Sequence, residues 1–246
     1  MAFIDHFSEK SDLYARARPA YPDALFAFIA GEAPGRERAW DCATGSGQAA
    51  LGLARHFGAV EGTDASAEQI ANAMAAPRVR YSVQAAEHTD FPDASFDAVC
   101  VAQALHWLDL ERFYAEAKRL MKPRGVLAAW GYARHHVTPQ VDLAFEEHFL
   151  APVRPYWPAQ NAKLWAGYRE ESFPFEPIDA PAFAIEMRWT LEQLIDYAGT
   201  WSATRRYLEV SADFLARSRV AMQPAWGEGE RVVTLPLSFR FGRRAP

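Results

Sequence analysis

The chain has 246 residues, of which 50% are hydrophobic and 13% are aromatic. This composition supports a packed core and excludes an intrinsically disordered chain. The formal net charge of -5 provides no bulk attraction to nucleic acid or to an anionic membrane, so we expect neither as a partner.

The sequence lacks the signals of export, membrane insertion and metal binding. Its start, MAFIDHFSEK, carries charges throughout, and no stretch approaches the roughly 18 apolar residues of a membrane span. Cys42 and Cys100 lie in apolar runs, which favours reduced core thiols, and no Cys/His spacing is typical of a zinc site. We therefore expect a soluble cytoplasmic protein without a metal.

The first 35 residues are predicted to form a helical lead-in. FIDHFSEKSDLYARARPAYP is interrupted at Pro19 and Pro22. The segment DALFAFIAGEAPG then predicts a short helix that begins near Asp23 and ends near Gly31.

From Arg38 onward, strands and helices alternate. The predicted strands are RAWDCA, AVEGTD, VRYSVQAA, SFDAVCVAQAL and GVLAAWGY. The predicted helices are SGQAALGLARHFG, AEQIANAMA and LERFYAEAKRLM. Ser66 and Gln69 are predicted to form a capping box at the second helix, and Asp109 to cap the third. Regular alternation predicts a parallel sheet with helices on both faces.

The pattern changes after residue 134, where prolines and aromatic residues accumulate. AFAIEMRW is a candidate sixth strand, and TLEQLIDYAGTWSATRRY and SADFLARSRVAMQ are predicted helices. RVVTLPLSFRFGRR alternates and predicts a final antiparallel strand, with Pro236 at an exposed or edge position.

Together these elements predict an α/β protein with a doubly wound, seven-stranded, mostly parallel sheet and an antiparallel last strand. An N-terminal helical cap and helical insertions complete the predicted fold. We expect one domain over residues 1–246, with a ligand-binding core at 36–134 and insertions at 139–180 and 190–225 that cover the substrate.

The stretch WDCATGSGQ places Gly45 and Gly47 between a strand and a helix. Glycine lets the backbone turn sharply and lets a ligand lie against bare main chain, next to the positive end of a helix. A tight structural turn is the alternative. With Ala50 the stretch also satisfies the dinucleotide fingerprint G-x-G-x-x-A, which NAD-dependent enzymes share.

Asp64 ends the next predicted strand, 19 residues after Gly45. A carboxylate at this place can accept hydrogen bonds from both hydroxyls of a ribose. Capping the following helix is its alternative role, in competition with Ser66. The pair predicts an adenosine-type ligand and leaves NAD and S-adenosylmethionine open.

Further motifs separate these two ligands. WDCATGSGQ, GTDAS, AAE, FPDASFDAV, VAQALHWLD and LMKPRGVLAAWGY occur in an order that resembles class I S-adenosylmethionine-dependent methyltransferases, which are Rossmann-like. The likeness is greatest to the small-molecule group that includes trans-aconitate and cantharidin methyltransferases. YARARPAYP and the pairing of TWSATRRY with VVTLPLSFRFG also resemble that group. The resemblance is strong over residues 12–132 and looser over 139–225.

The resemblance implies S-adenosylmethionine as the cofactor and a role for each matched residue. Asp41 would anchor the methionine ammonium, Asp64 would hold the ribose, and Gln103 would present its backbone to the methionyl group. The remaining cofactor-binding residues would be the loop residues Ala43, Gly45 and Gly47, the adenine-side residues Ala65, Ala86 and Glu87, and the closing residues Tyr14, Arg18 and Tyr21. Arg18 could instead form a structural salt bridge.

His106 and Trp107 follow the fourth strand, where the acceptor should approach, because parallel sheets bind ligands outside the carboxyl ends of their strands. His106 could act as a general base or contact the substrate, and Trp107 could wall the transfer site. Ordinary packing is the alternative for both. The insertion residues Tyr156, Trp157, Trp165, Trp201 and Arg205 suggest a lid over an apolar or acidic small molecule.

The sequence thus predicts in-line methyl transfer to a carboxylate or hydroxyl of a small molecule. Two other functions stay open. One is a protein that binds S-adenosylmethionine without catalysis, and the other is an NAD-dependent oxidoreductase. The oligomeric state is not predicted.

Overall fold

The computed structural model describes residues 19–169 and 172–245, built around one seven-stranded sheet. Its strands are β1 Arg38–Cys42, β2 Ala59–Asp64, β3 Val79–Val83, β4 Phe96–Ala102, β5 Met121–Gly131, β6 Glu176–Pro177 and β9 Ser238–Arg243. The strand order is β3-β2-β1-β4-β5-β9-β6, in which β1 to β5 are parallel and β9 is antiparallel to β5. The predicted fold class is confirmed.

Helices cover both faces of this sheet and continue into the C-terminal half. They are α1 Asp23–Glu32, α2 Gln48–Leu53, α3 Ala67–Ala71, α4 Leu110–Leu120, α5 Pro139–Phe145, α6 Ala151–Val153, α7 Asn161–Trp165, α8 Leu191–Gly199, α9 Ser202–Leu208 and α10 Phe214–Trp226. Short 3-10 turns lie at Leu105–Trp107 and Arg154–Tyr156, and a π turn lies at Glu146–Leu150.

Strand β4 shows why the sheet is covered on both sides. Successive side chains of a strand point to opposite faces. Ala98 and Cys100 pack into the cluster that contains α1 and α2, whereas Val99 and Val101 pack into the cluster that contains α4. All four are completely buried, as a near-continuous apolar run in a doubly covered parallel sheet requires.

Both cysteines are free and buried, one on each side of the sheet. Burial raises the pKa of both thiols, which keeps them protonated at neutral pH.

Within residues 19–169 and 172–245, no helix combines the length and apolar character that crossing a bilayer demands.

The predicted sixth strand is wrong as a member of the main sheet. AFAIEMRW forms β7 Ala184–Trp189, which pairs antiparallel with β8 Arg231–Pro236 in a separate two-stranded sheet. Glu186 and Arg188 alternate with its apolar residues, which suits a strand covered on one side only.

The predicted single last strand is also wrong, because it divides into two. The chain leaves β8 at the exposed Pro236, and Leu237 donates its backbone N–H to the carbonyl of Phe183 at 2.9 Å. Proline has no N–H to donate to a ladder, so pairing ends there. The chain then enters the main sheet as β9.

A separate hydrophobic cluster occupies the C-terminal half. It combines residues from α5, α8, α10, β7 and β8, with Phe149, Ile195 and Trp226 among the most buried. Helical insertions are predicted, but the frequent prolines between 139 and 165 do not allow individual helices to be assigned there from the sequence. Those prolines stand in first helical turns, at α5, α6 and Arg154–Tyr156, where a missing N–H is tolerated.

Two helical glycines make a matched test of this packing. A Cβ added at Gly52 in α2 would overlap the ring of the buried Phe26 of α1, whereas a Cβ at Gly31 in α1 would meet nothing within 4 Å. We expect Gly52→Ala to lower the free energy of unfolding by about 1–3 kcal/mol through overpacking. Gly31→Ala should leave it unchanged or raise it by up to about 1 kcal/mol. Urea unfolding measures both, and equal effects would contradict the tight α1–α2 contact.

Candidate functional site

The loop between β1 and α2 turns through three left-handed residues. Ala43, Gly45 and Gly47 have φ values of 53°, 54° and 86°. Glycine adopts this conformation freely, whereas alanine does so at a cost. Position 47 requires glycine for a second reason, because an added Cβ would overlap the hydroxyl of Tyr81. The loop therefore presents bare main chain at the carboxyl end of β1.

Asp64, the last residue of β2, binds this loop with its carboxylate. Oδ2 accepts a hydrogen bond from the backbone N–H of Gly45 at 2.9 Å, and Oδ1 accepts one from the N–H of Ser66 at 2.9 Å. Because β1 and β2 are parallel neighbours, their carboxyl ends meet at one edge of the sheet. The two features singled out in the sequence are thus in direct contact.

Ser66, and not Asp64, is the N-cap of α3. Its hydroxyl accepts from the backbone N–H of Gln69 at 3.3 Å. The predicted capping box is wrong in its second half, because the N–H of Ser66 donates to Asp64 instead of to the Gln69 side chain. The Asp64 carboxylate is therefore available to the loop.

Asp41 on β1 is completely buried. Its Oδ2 accepts from the hydroxyl of Thr44 at 2.5 Å, while Oδ1 has no hydrogen-bond partner in the described part of the chain. The pKa of this carboxyl is raised to about 7, mainly by desolvation and to a lesser extent by the charge of Asp64. Hydrogen bonds from the Thr44 hydroxyl and the Ala50 amide lower the pKa and offset part of this rise. A buried acceptor without a donor is costly, which suits this atom to a cationic or hydrogen-bonding ligand group.

The predicted adenine-side residues lie on the loops after β2 and β3. Ala65 is exposed beside Asp64, and Ala86 is buried. Oε1 of Glu87 accepts from the backbone N–H of Asp109, whose side chain caps α4. Glu87 thus joins the loop after β3 to the start of α4.

Gln103 links the ends of β4 and β5. Its φ is 58°, and its backbone N–H donates to the carbonyl of Trp130 at 2.8 Å. Its side-chain amide donates to the carbonyl of Tyr132 at 3.1 Å, and its side-chain oxygen accepts from the N–H of Tyr132 at 3.3 Å. The side chain is therefore occupied in holding the two strand ends together.

His106 and Trp107 share the 3-10 turn that follows β4, with their rings 4.8 Å apart. His106 is buried, and its Nδ1 lies 3.1 Å from the hydroxyl oxygen of Tyr168. Desolvation, with the charge of Lys163 as a second cause, lowers the pKa of His106 to about 4. The imidazole is therefore neutral at pH 7.

Tyr168, which contacts the predicted site residue His106, is not singled out by the sequence analysis. It lies 62 residues after His106 in a segment without strand or helix periodicity. The only local signal is Gly167 before it, at the end of the short helix α7. A contact across this separation has no pattern in the sequence.

The predicted closing residues have different outcomes. Tyr14 and Arg18 lie outside the described residues. The ring of Tyr21 packs edge-on against Trp130, with centroids 5.5 Å apart, and lies 6.3 Å from Tyr132. Tyr21 therefore covers the end of β5.

The aromatic residues of the insertions lie together. Trp157 is 5.6 Å from Trp165 and 5.6 Å from Trp201 between ring centroids, and Tyr156 is 5.2 Å from Tyr207. Residues from both predicted insertions thus pack into one aromatic cluster.

Comparisons with a family model and with a related protein both match this chain to methyltransferases. A family model described as a methyltransferase domain matches residues 40–129. A protein of Dictyostelium discoideum named as a methyltransferase is 32% identical over 211 residues, which cover 84% of this chain and 80% of that protein.

Solved structures agree. A protein of Anaeromyxobacter dehalogenans described as a type II methyltransferase is 41% identical, with 93% of this chain and 99% of that chain covered and a TM-score of 0.87. The [4+2]-cyclase SpnF shares the fold alone, at 20% identity, 96% and 93% coverage and a TM-score of 0.51.

The buried Asp41 predicts a pH-dependent stability. The carboxyl of the unfolded chain ionises near pH 4 and that of the folded chain near pH 7, so raising the pH through this window favours unfolding. Asp41→Asn removes this effect. Because each pKa unit is worth about 1.4 kcal/mol, we expect the variant to gain on the order of 2 kcal/mol over wild type between pH 5 and pH 8.

Urea unfolding of both chains without ligand measures this difference. All other titrating groups are shared, so they cancel in the comparison. A difference between the two chains that is the same at pH 5 and pH 8 would mean that Asp41 ionises normally in the folded protein.

Proposed function

Because this chain belongs to the class I S-adenosylmethionine-dependent methyltransferases, we propose that it methylates a small molecule bound outside the carboxyl end of β4. The observation that carries this proposal is the 2.9 Å contact between the Asp64 carboxylate and the Gly45 amide. It brings the bare loop and the strand-end acid to one edge of the sheet, where parallel α/β folds bind ligands.

The residues at this edge fit the cofactor. The unpartnered, buried Oδ1 of Asp41 suits the ammonium of the methionine part, and the left-handed loop leaves room for it against main chain. Asp64 would bind the ribose hydroxyls while keeping its bonds to the loop. S-adenosylmethionine would supply a methyl group bonded to a positively charged sulfur. The sulfur would be the group that the acceptor atom displaces in line.

The remaining predicted cofactor contacts follow the same edge. Ala65 and Ala86 would flank the adenine, with Glu87 near its edge, and the backbone of Gln103 would face the methionyl group. The hydrogen bonds between Gln103 and Tyr132 fix the ends of β4 and β5 relative to each other. A rigid edge of this kind would help to align the methyl group and the acceptor for an in-line displacement.

His106 and Trp107 would contact the acceptor. Their turn follows β4 directly, and both rings lie within the hydrophobic surroundings of that strand end. We propose that Trp107 walls the site against water and that His106 fixes the acceptor. A carboxylate acceptor is already ionised at neutral pH, whereas a hydroxyl has to lose its proton.

Residues 139–180 and 190–225 would form a substrate cap over the core at 36–134. The support is that Leu164 and Tyr168, from the first of these segments, reach the end of β5. An added Cβ at Gly131 would lie 2.5 Å from Leu164 and 3.4 Å from Tyr168. Glycine at this position lets the cap approach the strand.

Incubation with radiolabelled S-adenosylmethionine and a panel of small carboxylic acids, alcohols and phenols tests the activity. We expect labelled product from at least one member. Bound cofactor without turnover would favour the non-catalytic alternative, and turnover only with protein or nucleic acid would reject the small-molecule acceptor.

Asp64→Ala should weaken binding of S-adenosylmethionine at least tenfold, about 1.4 kcal/mol, because a charged hydrogen-bond acceptor is lost. Isothermal titration calorimetry measures the dissociation constant. Glu68→Ala is the matched control, since it removes an exposed acid from the neighbouring helix α3. Wild-type affinity in Asp64→Ala would remove the ribose assignment.

Cofactor affinity should fall as the pH drops below about 7, because Asp41 then takes up a proton and no longer attracts the ammonium. The ammonium itself keeps its charge in this range. We expect the dissociation constant to rise by up to about tenfold per pH unit between pH 6.5 and pH 5.5. Asp41→Asn should bind more weakly and without this dependence, and a parallel pH profile in both chains would contradict the role of Asp41.

A further inference from the structure

We infer that Tyr168 is a positioning residue that donates its hydroxyl proton to Nδ1 of His106 and thereby leaves the imidazole proton on Nε2. His106 is then a hydrogen-bond donor toward the acceptor and not its general base. The inference about Tyr168 rests on the 3.1 Å contact and on the burial of both groups, whereas the role of His106 toward the acceptor rests on the proposed function.

Burial decides the direction of this hydrogen bond. Tyr168 is 1% exposed, and within the described residues its hydroxyl bonds only to His106. If Nδ1 carried the proton and donated it, the phenolic O–H would be left buried without an acceptor, which costs about 1–3 kcal/mol. If the phenol donates, the Tyr168 O–H and the Nδ1 lone pair of His106 are both satisfied.

The acidities of the two groups favour the same direction. A phenol, with an ordinary pKa near 10, gives up its proton far more readily than a neutral imidazole N–H does. The unprotonated ring nitrogen is also a better acceptor than a phenolic oxygen, whose lone pair is delocalised into its ring. Burial raises the pKa of Tyr168 and lowers that of His106, so both stay uncharged at pH 7.

The backbone around Tyr168 is arranged for this contact. Gly167 and Tyr168 have φ values of 65° and 58°, and a left-handed conformation costs a residue with a side chain about 1–2 kcal/mol. The Tyr168 N–H donates to the carbonyl of Lys163 at 2.9 Å, which closes the end of α7. With this turn, the ring centroids of Tyr168 and His106 are 6.2 Å apart and the angle between the ring planes is 27°.

The remaining ring nitrogen of His106 has no hydrogen bond in the described part of the chain. Nδ1 and Nε2 lie on different sides of the imidazole ring, so Nε2 faces away from Tyr168. A neutral imidazole carries one proton, and with Nδ1 engaged as an acceptor that proton is on Nε2. The acceptor would therefore receive a hydrogen bond from His106 and pass its own proton, if it has one, elsewhere.

Long-range proton–nitrogen correlation spectra of the ¹⁵N-labelled full chain at pH 7 test the tautomer without any acceptor or cofactor. We expect the Nδ1 resonance of His106 in the unprotonated range and Nε2 in the protonated range. His106→Gln assigns the signals by their loss. A protonated Nδ1 in the wild-type chain overturns the inference, whether or not the protein methylates anything.

Tyr168→Phe should shift the Nδ1 resonance toward the protonated range, as the two tautomers become mixed. Tyr132→Phe is the matched control, because it removes another buried hydroxyl, one that has no hydrogen-bond partner among the described residues. It should leave the His106 signals in place. Unchanged signals in Tyr168→Phe, with the spectrum still that of a folded chain, would show that Tyr168 does not set the tautomer.

The donor role is tested on whichever member of the acceptor panel is turned over. Glutamine can donate an N–H but cannot take up a proton, whereas leucine can do neither. We expect His106→Gln to keep kcat within about tenfold of wild type and His106→Leu to lose on the order of a hundredfold. Losses of about a hundredfold in both variants would assign His106 as the base, and losses within about tenfold in both would remove the donor role. If no panel member is turned over, the proposed function fails while the spectra still decide the tautomer.

Discussion

The Asp64 carboxylate and the two backbone amides that it binds connect the loops that follow β1 and β2. Parallel pairing brings the ends of β1 and β2 to one edge, but it does not fix the loops that follow them. Backbone hydrogen bonds from Thr44 to Thr63 and from Gly47 to Thr44 hold the left-handed loop, and the Gly45 N–H adds a charge-assisted bond to the carboxylate. The same side chain holds Ser66 at the start of α3. One acid therefore sets the shape of both loops between which the adenosine part would lie.

A second acid, Asp41, lies near Asp64, and its charge is unfavourable as long as no ligand is bound. Asp41 is completely buried, and the charge of Asp64 contributes to raising its pKa. A hydrophobic side chain in its place would suit the apolar neighbours on β1 and β4 better. The arrangement becomes favourable when a cation arrives, because each carboxylate then lowers the energy of the bound charge. Strain of this kind is typical of functional positions, and the fully covered sheet supplies the stability that tolerates it.

Local patterns in the sequence predict the strands β1 to β5 and the loops at their carboxyl ends, but not the contacts that more distant segments make with this edge of the sheet. The predicted strands correspond to β1 to β5 of the structure, of which β2 ends at Asp64 and β5 ends at Gly131, and Asp109 caps α4 as predicted. The outcome at Pro236 depends on which sheet each half of the segment joins, which is a tertiary matter. The contact of His106 with Tyr168 and the use of the Gln103 side chain against Tyr132 connect distant segments and leave no periodicity to find.

The contacts that the sequence patterns do not predict are those that would determine which acceptor is methylated. The fold alone does not fix the chemistry, since a cyclase shares it at a TM-score of 0.51. The residues that would meet the acceptor come from the end of β4 and from the segment after α7, and they are joined by a single hydrogen bond. If this segment covers the acceptor as proposed, replacing it changes the cover of the site and the contact to Nδ1 of His106 at once. The proposed tautomer of His106 and the choice of acceptor would then be coupled through Tyr168.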